Sequence, residues 1–474
     1  MEDHSEPTTG KSKNFAILIT VLATSFVTTF SGSALNLSIP EISKEFGISA
    51  ALIGWLVTSY ILCSASLAVP FGRIADMGAR RQVYLFGILI FALASGVTFF
   101  AQAFWHVLVL RILQGVGGAM IFSTNIAILV NAYPPQMRGK VIGFSVAATY
   151  VGLSMGPVVG GLLTHNSGWR SVFLVNFICG LIAFLVALFN VPKTSRAGNK
   201  SSKEKKDYDV PGMLMYFVSM LSTMYGLTIL SSGILGWVLT IAGIGLLILF
   251  VRHEGRVEHP ALAVRLFKNN PNFLLSNLAA LLNYGATFAT GYLVSIYLQT
   301  VQAYDAQQAG LILICQPAVM AVISPFAGRL SDKKSPFLLA SIGMAFCAVS
   351  LFSYIFLGTD APMFHIIINL VLVGIGFGLF SSPNTNVIMS SVPPKDSSIA
   401  SSLLATMRTV GQVLSMAIIT FIMNSHLGDK TLQNSPPELL VSAMKTSFIV
   451  FAAICAVGVL TSLQRKTNKE ASKS

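Results

Sequence analysis

The sequence predicts an all-α membrane protein: two six-helix bundles with two further helices inserted between them, fourteen transmembrane helices in all. Three observations predict it. Of 474 residues, 54% are hydrophobic and only 10% are charged, against about a quarter charged in soluble domains. Apolar runs of about 20 residues, enough to cross roughly 30 Å of hydrocarbon as a helix, recur along the chain. Lysine and arginine gather in alternate loops between those runs, as the positive-inside rule requires.

The first run, near 15–37, is too long for a signal h-region and stays as span 1. Spans 2 to 6 fall near 50–70, 83–103, 105–130, 140–163 and 171–191, completing an N-terminal bundle, 15–191. The polar linker 192–209 is too hydrophilic to pack. Two spans near 210–231 and 234–251 form the inserted pair, 210–251, and a connector, 252–272, follows. Spans near 273–298, 307–328, 336–357, 363–386, 400–424 and 445–463 make the C-terminal bundle, 273–463. Residues 1–14 and the tail 464–474 are expected in the cytoplasm. With that orientation 25 of the 31 Lys and Arg lie in cytoplasmic segments. Four, Lys44, Arg170, Lys430 and Lys445, lie outside, and Arg111 and Arg408 lie within spans. The net charge of +13 therefore reports orientation in a cell membrane, not a nucleic-acid partner. The five cysteines sit singly in apolar runs, as packing residues. No nucleotide, metal, cofactor or catalytic constellation stands in the sequence, which argues against an enzyme.

Pro70-Phe71-Gly72-Arg73-Ile74-Ala75-Asp76 ends span 2, and Pro325-Phe326-Ala327-Gly328-Arg329-Leu330-Ser331-Asp332 ends span 10, the second helix of the other bundle. The repeat marks two related halves. After span 2, Gly72, Arg73, Asp76, Gly78, Arg80 and Arg81 form a G-x-x-x-D-x-x-G-x-R-R turn. Span 4 carries Arg111-Ile112-Leu113-Gln114-Gly115, an arginine that must face the bundle interior or a wet cavity. Span 5 carries Gly143, Gly152, Gly156-Pro157 and Gly160-Gly161. Glycine at every fourth position leaves a smooth stripe for a neighbouring backbone, and Pro157 favours a kink.

The turn and the span-4 pattern resemble those of the major facilitator superfamily, and the span-5 pattern resembles the antiporter motif of its drug exporters. With fourteen spans and Trp55-x-x-x-x-Tyr60, the whole chain resembles the fourteen-helix drug/proton antiporters. The resemblance implies a secondary multidrug-type exporter of small amphipathic molecules, proton-driven, working by alternating access as a monomer in the lipid bilayer. It implies that the turn acts as a gating latch. The alternative is an exchanger or facilitator for a neutral or anionic metabolite. Where the family commonly has an acid in span 1 this chain has Ser31, and all 18 Asp and Glu fall in termini, loops or span edges. Arg111, Gln114 and Arg408 are the intramembrane charge and polar candidates. Ser31, Asn36, Asn283, Tyr284, Tyr292 and Gln316 are the candidate cavity residues. Ser31 and Arg111 are expected at similar depth, facing each other, with Arg111 as the main charged contact for neutral, zwitterionic or anionic amphiphiles.

Overall fold

The computed structural model describes residues 8–133, 135–191, 209–230, 233–257, 267, 270–331, 334–392, 397–428 and 430–463. The linker 192–208, the tails 1–7 and 464–474 and most of the connector lie outside these residues. The described chain is helical throughout, because lipid offers backbone groups no partner but each other. The N-terminal bundle comprises α1 (Thr8–Phe46), α2 (Ala50–Ile74), α3 (Arg80–Thr98), α4 (Phe104–Ala132), α5 (Pro135–Ser167) and α6 (Arg170–Asn190). Then come α7 (Val210–Thr228) and α8 (Ile234–Glu254). The C-terminal bundle begins with α9, built from Pro271–Thr287, Thr290–Ile296 and a π turn, Tyr297–Val301. It continues with α10 (Ala306–Ser331), α11 (Pro336–Phe356), α12 (Met363–Ser390), α13 (Ser397–Leu427) and α14 (Pro437–Leu463).

Thirteen of these are each long and apolar enough to cross a membrane. The fourteenth is α9, expected as one run near 273–298 but broken around Phe288 and Ala289. Large apolar side chains such as Phe100, Phe189, Ile234, Trp237, Phe326, Phe364 and Leu460 lie exposed on the outside of the helices, where lipid would cover them.

Polar ends start several helices. Asp209, Asn270 and Asp305 cap α7, α9 and α10 by accepting from the backbone N–H of Gly212, Phe273 and Gln308. Between α2 and α3 the chain turns at Gly78, whose φ of 109° is open only to glycine at low cost.

The two bundles repeat each other's packing. In the first, α1 packs on α5 and α6, α2 on α4, and α3 on α4 and α6. In the second, α9 packs on α13 and α14, α10 on α12, and α11 on α12 and α14. Equivalent glycines bring the backbones together: Gly115 against Tyr60 and Cys63, Gly117 against Gly87 and Phe91, then Gly374 against Gln316 and Val319, Gly376 against Gly343 and Cys347. The bundles meet along two seams related by the same exchange, α5 with α10 and α13 with α2. The inserted hairpin α7–α8 lies along the second seam, α7 touching both α2 and α13.

Candidate functional site

The start of α1, the end of α14, the α2–α3 turn and the α4–α5 turn share one end of the molecule, here the near end; the opposite end is the far end. At the far end the bundles are stitched together. Ala50 N donates to Lys430 O at 3.0 Å, Gln433 Nε2 to Pro40 O at 2.7 Å, and Ser295 Oγ to Asn36 O at 2.7 Å. Ser49 and Thr431 form an isolated bridge. Deeper between the bundles, Tyr150 OH lies 3.4 Å from Ser381 Oγ. The molecule is therefore shut at the far end.

The antiporter glycines use both faces of α5. Added to Gly152, Gly156 or Gly160, a Cβ would run into Phe26 O, Ser33 or Ala34 of α1. Thr29 Oγ1 and Ser33 Oγ of α1 donate to Thr149 O and Leu153 O of α5 at 3.2 and 3.1 Å, hydrogen bonds that only this close approach permits. On the other face Gly161 meets Ala306 O, and Gly310 of α10 meets Pro157 O. One stripe thus knits a bundle, and the opposite face of the same helix closes a seam. The surroundings of Gly143 and the side chain of Asp76 lie outside the described residues. Within the predicted latch, Arg81 Nε and Nη2 donate to Val191 O and Leu188 O, both at 2.8 Å, capping the C-terminus of α6, where a cation suits the helix dipole.

Arg111 is 1% exposed, the largest fully buried side chain. Its Nε donates to Leu56 O at 2.9 Å, and its Nη1 to Gln114 Oε1 at 2.7 Å and, at the long limit of 3.5 Å, to Ser31 Oγ. Gln114 Nε2 passes the chain on to Ser95 Oγ at 3.1 Å. The guanidinium lies 4.5 Å from the centre of the Tyr60 ring. Ser31 and Arg111 do meet, but inside the wall of the N-terminal bundle at the sealed far half. Nη2 and the Tyr60 hydroxyl are left without partners, a desolvation cost this conformation carries.

Arg408 stands differently. It is half-buried, at a depth of about 17 Å along α13 from the near end. Its Nη2 donates to Thr385 Oγ1 at 2.8 Å, its guanidinium lies 5.5 Å from the centre of the Tyr284 ring, and its Nε has no partner. Tyr284 stands edge-on to Phe377, centroids 5.0 Å apart at 80°. Ser381 lies within hydrogen-bonding reach of Tyr284 as well as of Tyr150 from the other bundle. Tyr150, Ser381 and Thr385 escape sequence reasoning; the available signal is only that Tyr150 lies between Gly143 and Gly152 of the motif.

The other cavity candidates disperse. Asn36 lies at the far-end closure, near Gly291. Tyr292 is buried near Gly54 on the second seam, its hydroxyl unpartnered. Asn283 is fully buried beside the Cys347 thiol, within the C-terminal bundle. Gln316 is half-buried, its carbonyl packed on Gly374. A further network missed by the sequence, Thr24 with Tyr84 and Asn125, and Ser25 with Asn125 and Ser145, pins α1 to α3, α4 and α5 at 3.0 to 3.2 Å.

Comparison with known proteins places this architecture. The chain is 29% identical to the riboflavin transporter RibZ of Clostridioides difficile strain 630, over 97% of this chain and 100% of that one. It is 28% identical to the drug efflux pump JefA of Mycobacterium tuberculosis, over 92% and 86%. Among solved structures, a bacterial homologue of the human lysosomal transporter Spinster, inward-facing and occupied, superposes with a TM-score of 0.70 at 16% identity, covering 97% of each chain. The Major Facilitator Superfamily profile matches residues 21–416 and, overlapping these, 277–474. The chain belongs to the major facilitator superfamily.

Proposed function

We propose that this transporter is a secondary active exporter of small amphipathic molecules, proton-driven, lying in the cell membrane with the near end in the cytoplasm. The observation that carries the reading is the α5 glycine helix, which packs backbone to backbone on α1 and, through its other face, on α10. The match to the antiporter pattern gives the direction of export, and the drug efflux pump among the relatives supports it. The shut far end fits a molecule waiting to load from the cytoplasm. The latch role of Gly72, Arg73, Asp76, Gly78, Arg80 and Arg81 belongs to the same reading.

A second reading, an exchanger or facilitator for a neutral or anionic metabolite, is favoured by one observation. Both intramembrane arginines lack a carboxylate partner among the described residues, and a relative is named a riboflavin transporter. Proteoliposome flux against a panel of cationic, neutral and anionic aromatic compounds separates the two. Export predicts accumulation driven by an imposed pH gradient; exchange predicts counterflow indifferent to it. Orientation is tested by cysteine labelling. Ser435 is buried with its hydroxyl on Thr431 O, so its exposed neighbour Asn434 is the better far-end reporter. Asn434→Cys should label from outside and Ser201→Cys from inside; labelling of both from one side would end the fourteen-span orientation.

A further inference from the structure

The half-buried arginine of α13 and its ring neighbours carry a more specific reading, which rests on the transport function just proposed. We propose that Arg408, Thr385, Tyr284 and Tyr150 form the anion subsite of the transported molecule, and that this molecule is an aromatic weak acid, a flat ring bearing a carboxylate or sulfonate.

Position comes first. Arg408 is on α13, but its partners come from α12 (Thr385) and α9 (Tyr284), so it points into the C-terminal bundle's inner face and not to lipid. Ser381, one turn before Thr385 on α12, touches Tyr150 of the opposite bundle. The cluster therefore sits where the two bundles face each other, deeper than the near-end surface and short of the far-end seal.

Charge comes second. An arginine at membrane depth costs several kcal/mol unless it is neutralised or hydrated. Among the described residues no carboxylate touches Arg408, and its Nε edge is unpartnered while Thr385 engages Nη2. A planar guanidinium that is neither neutralised nor fully hydrogen-bonded matches a carboxylate or sulfonate, which its fork can meet through two parallel hydrogen bonds. Arg111 also keeps one unpartnered nitrogen, Nη2, but three hydrogen bonds hold its Nε and Nη1, to Leu56 O, Gln114 and Ser31, and it is 1% exposed, whereas the half-buried Arg408 is held by its hydrogen bond to Thr385.

The rings come third. Tyr284 lies under the guanidinium and edge-on to Phe377, and Tyr150 adds a second phenol from the other bundle. A flat apolar body slides between such surfaces by offset stacking, and both hydroxyls can meet polar substituents. Since Tyr150 moves with one bundle and the other groups with its partner, a ligand bridging them senses the rocking motion. Its affinity must then differ between the two closures, which is what a transported molecule requires.

The test uses the full-length transporter in detergent and in proteoliposomes, with three probes of one shape: 1-naphthoate, 1-naphthylmethanol and 1-naphthylmethylammonium. Equilibrium binding by the purified protein should favour naphthoate. Arg408→Gln should lower naphthoate affinity at least about tenfold and leave naphthylmethanol binding near that of the unaltered protein. Arg408→Lys, which keeps charge but loses the fork, should fall between them and guards against a misfolded glutamine variant. Naphthoate bound no better than the cation by the unaltered protein, or bound equally well after Arg408→Gln, would overturn the subsite. So would an Arg111→Gln variant that loses the anion preference while Arg408→Gln keeps it. Binding is read without flux, so a protein that binds naphthoate as stated but accumulates none of the probes under any gradient refutes the export reading and leaves the subsite standing.

Discussion

The two seams between the bundles are equivalent by the internal repeat, yet they are made of different material. Along the α5–α10 seam, backbone meets backbone: a Cβ on Gly161 or Gly310 would overlap Ala306 O or Pro157 O. Along the α2–α13 seam, Gly54 stands where a Cβ would rest in ordinary contact, 3.4 Å from Thr420 Oγ1 and 3.5 Å from Tyr292 OH. That second seam is instead braced from outside by the inserted hairpin, with Tyr216 OH donating to Ala65 O at 3.2 Å and paired with Thr406, and Tyr225 packed on Trp55 at 5.5 Å. A repeat fixes which helices meet and leaves open how tightly. The tight seam has one good register, the looser one can give, and rocking should therefore hinge on the first and open along the second.

The largest expected effect breaks the tight seam. Gly310→Ala or Gly161→Ala places a methyl against a carbonyl that cannot retreat without moving a helix, a strain of about 1–3 kcal/mol. The far-end closure should lose population, read as faster labelling of Ser435→Cys, a buried position at that end, and flux reduced by about tenfold or more. Gly54→Ala on the other seam should leave labelling and flux within about twofold, because the added carbon finds ordinary contact distances. Equal effects at Gly310 and Gly54 would erase the distinction between the seams.

A smaller effect tests the brace. Tyr216→Phe removes the hydrogen bonds to Ala65 O and Thr406 while keeping the ring, buried against Phe250 at 5.5 Å. The expected loss is about 1 kcal/mol, seen as a lower melting temperature in detergent. If the hairpin is a brace, near-end accessibility rises as well; an unchanged melt and accessibility would make α7–α8 a passenger.

Much of this was legible in the sequence, for a physical reason. Lipid forces helices, so the apolar helices and the two bundles follow from composition and period alone. The glycine stripe of α5 was legible too, because close helix approach needs small residues at every fourth position. Its second face was not: Gly161 against Ala306 and Gly310 against Pro157 depend on the register of helices from opposite halves. The same holds for Tyr150 and Ser381, 231 positions apart. The break in α9 was hidden because Gly285 and Gly291 flank it singly within an apolar run, and an isolated glycine there does not by itself end a helix. Ser31 opposite Arg111 could be placed by counting depth along two spans, whereas the half-open state of Arg408 depends on three helices and could not.

The smallest expected effect concerns the near end of the brace. Asp209 caps α7, its Oδ1 accepting from Gly212 N at 2.9 Å and meeting His253 Nε2 of α8 at 2.8 Å, so one carboxylate ties both ends of the hairpin together. Burial would by itself raise the Asp209 pKa, but hydrogen bonds from His253 and the Gly212 N–H, with Glu254 close by, leave it below its ordinary value. A carboxyl whose native pKa is depressed contributes stability above its unfolded pKa of about 3.9 and loses that contribution as pH falls through the native value. Hairpin docking should therefore be indifferent to pH above about 5 and weaken below about 4. The measurement is the melting temperature of the detergent-solubilised transporter against pH, for the unaltered protein, Asp209→Asn and His253→Gln. Asp209→Asn keeps an acceptor for the cap but cannot titrate, so it should start slightly less stable and show a shallower acid decline. His253→Gln keeps a donor but removes the ring's charge, so its decline should begin at higher pH than in the unaltered protein. The shift should be smaller than that of Tyr216→Phe, because a tie at the hairpin's end holds only the brace and leaves the buried seam contacts intact. An acid decline identical in all three would assign the acid sensitivity to other carboxylates, with Glu45, bound to Arg170 at 2.6 Å across the far end, as the first to test.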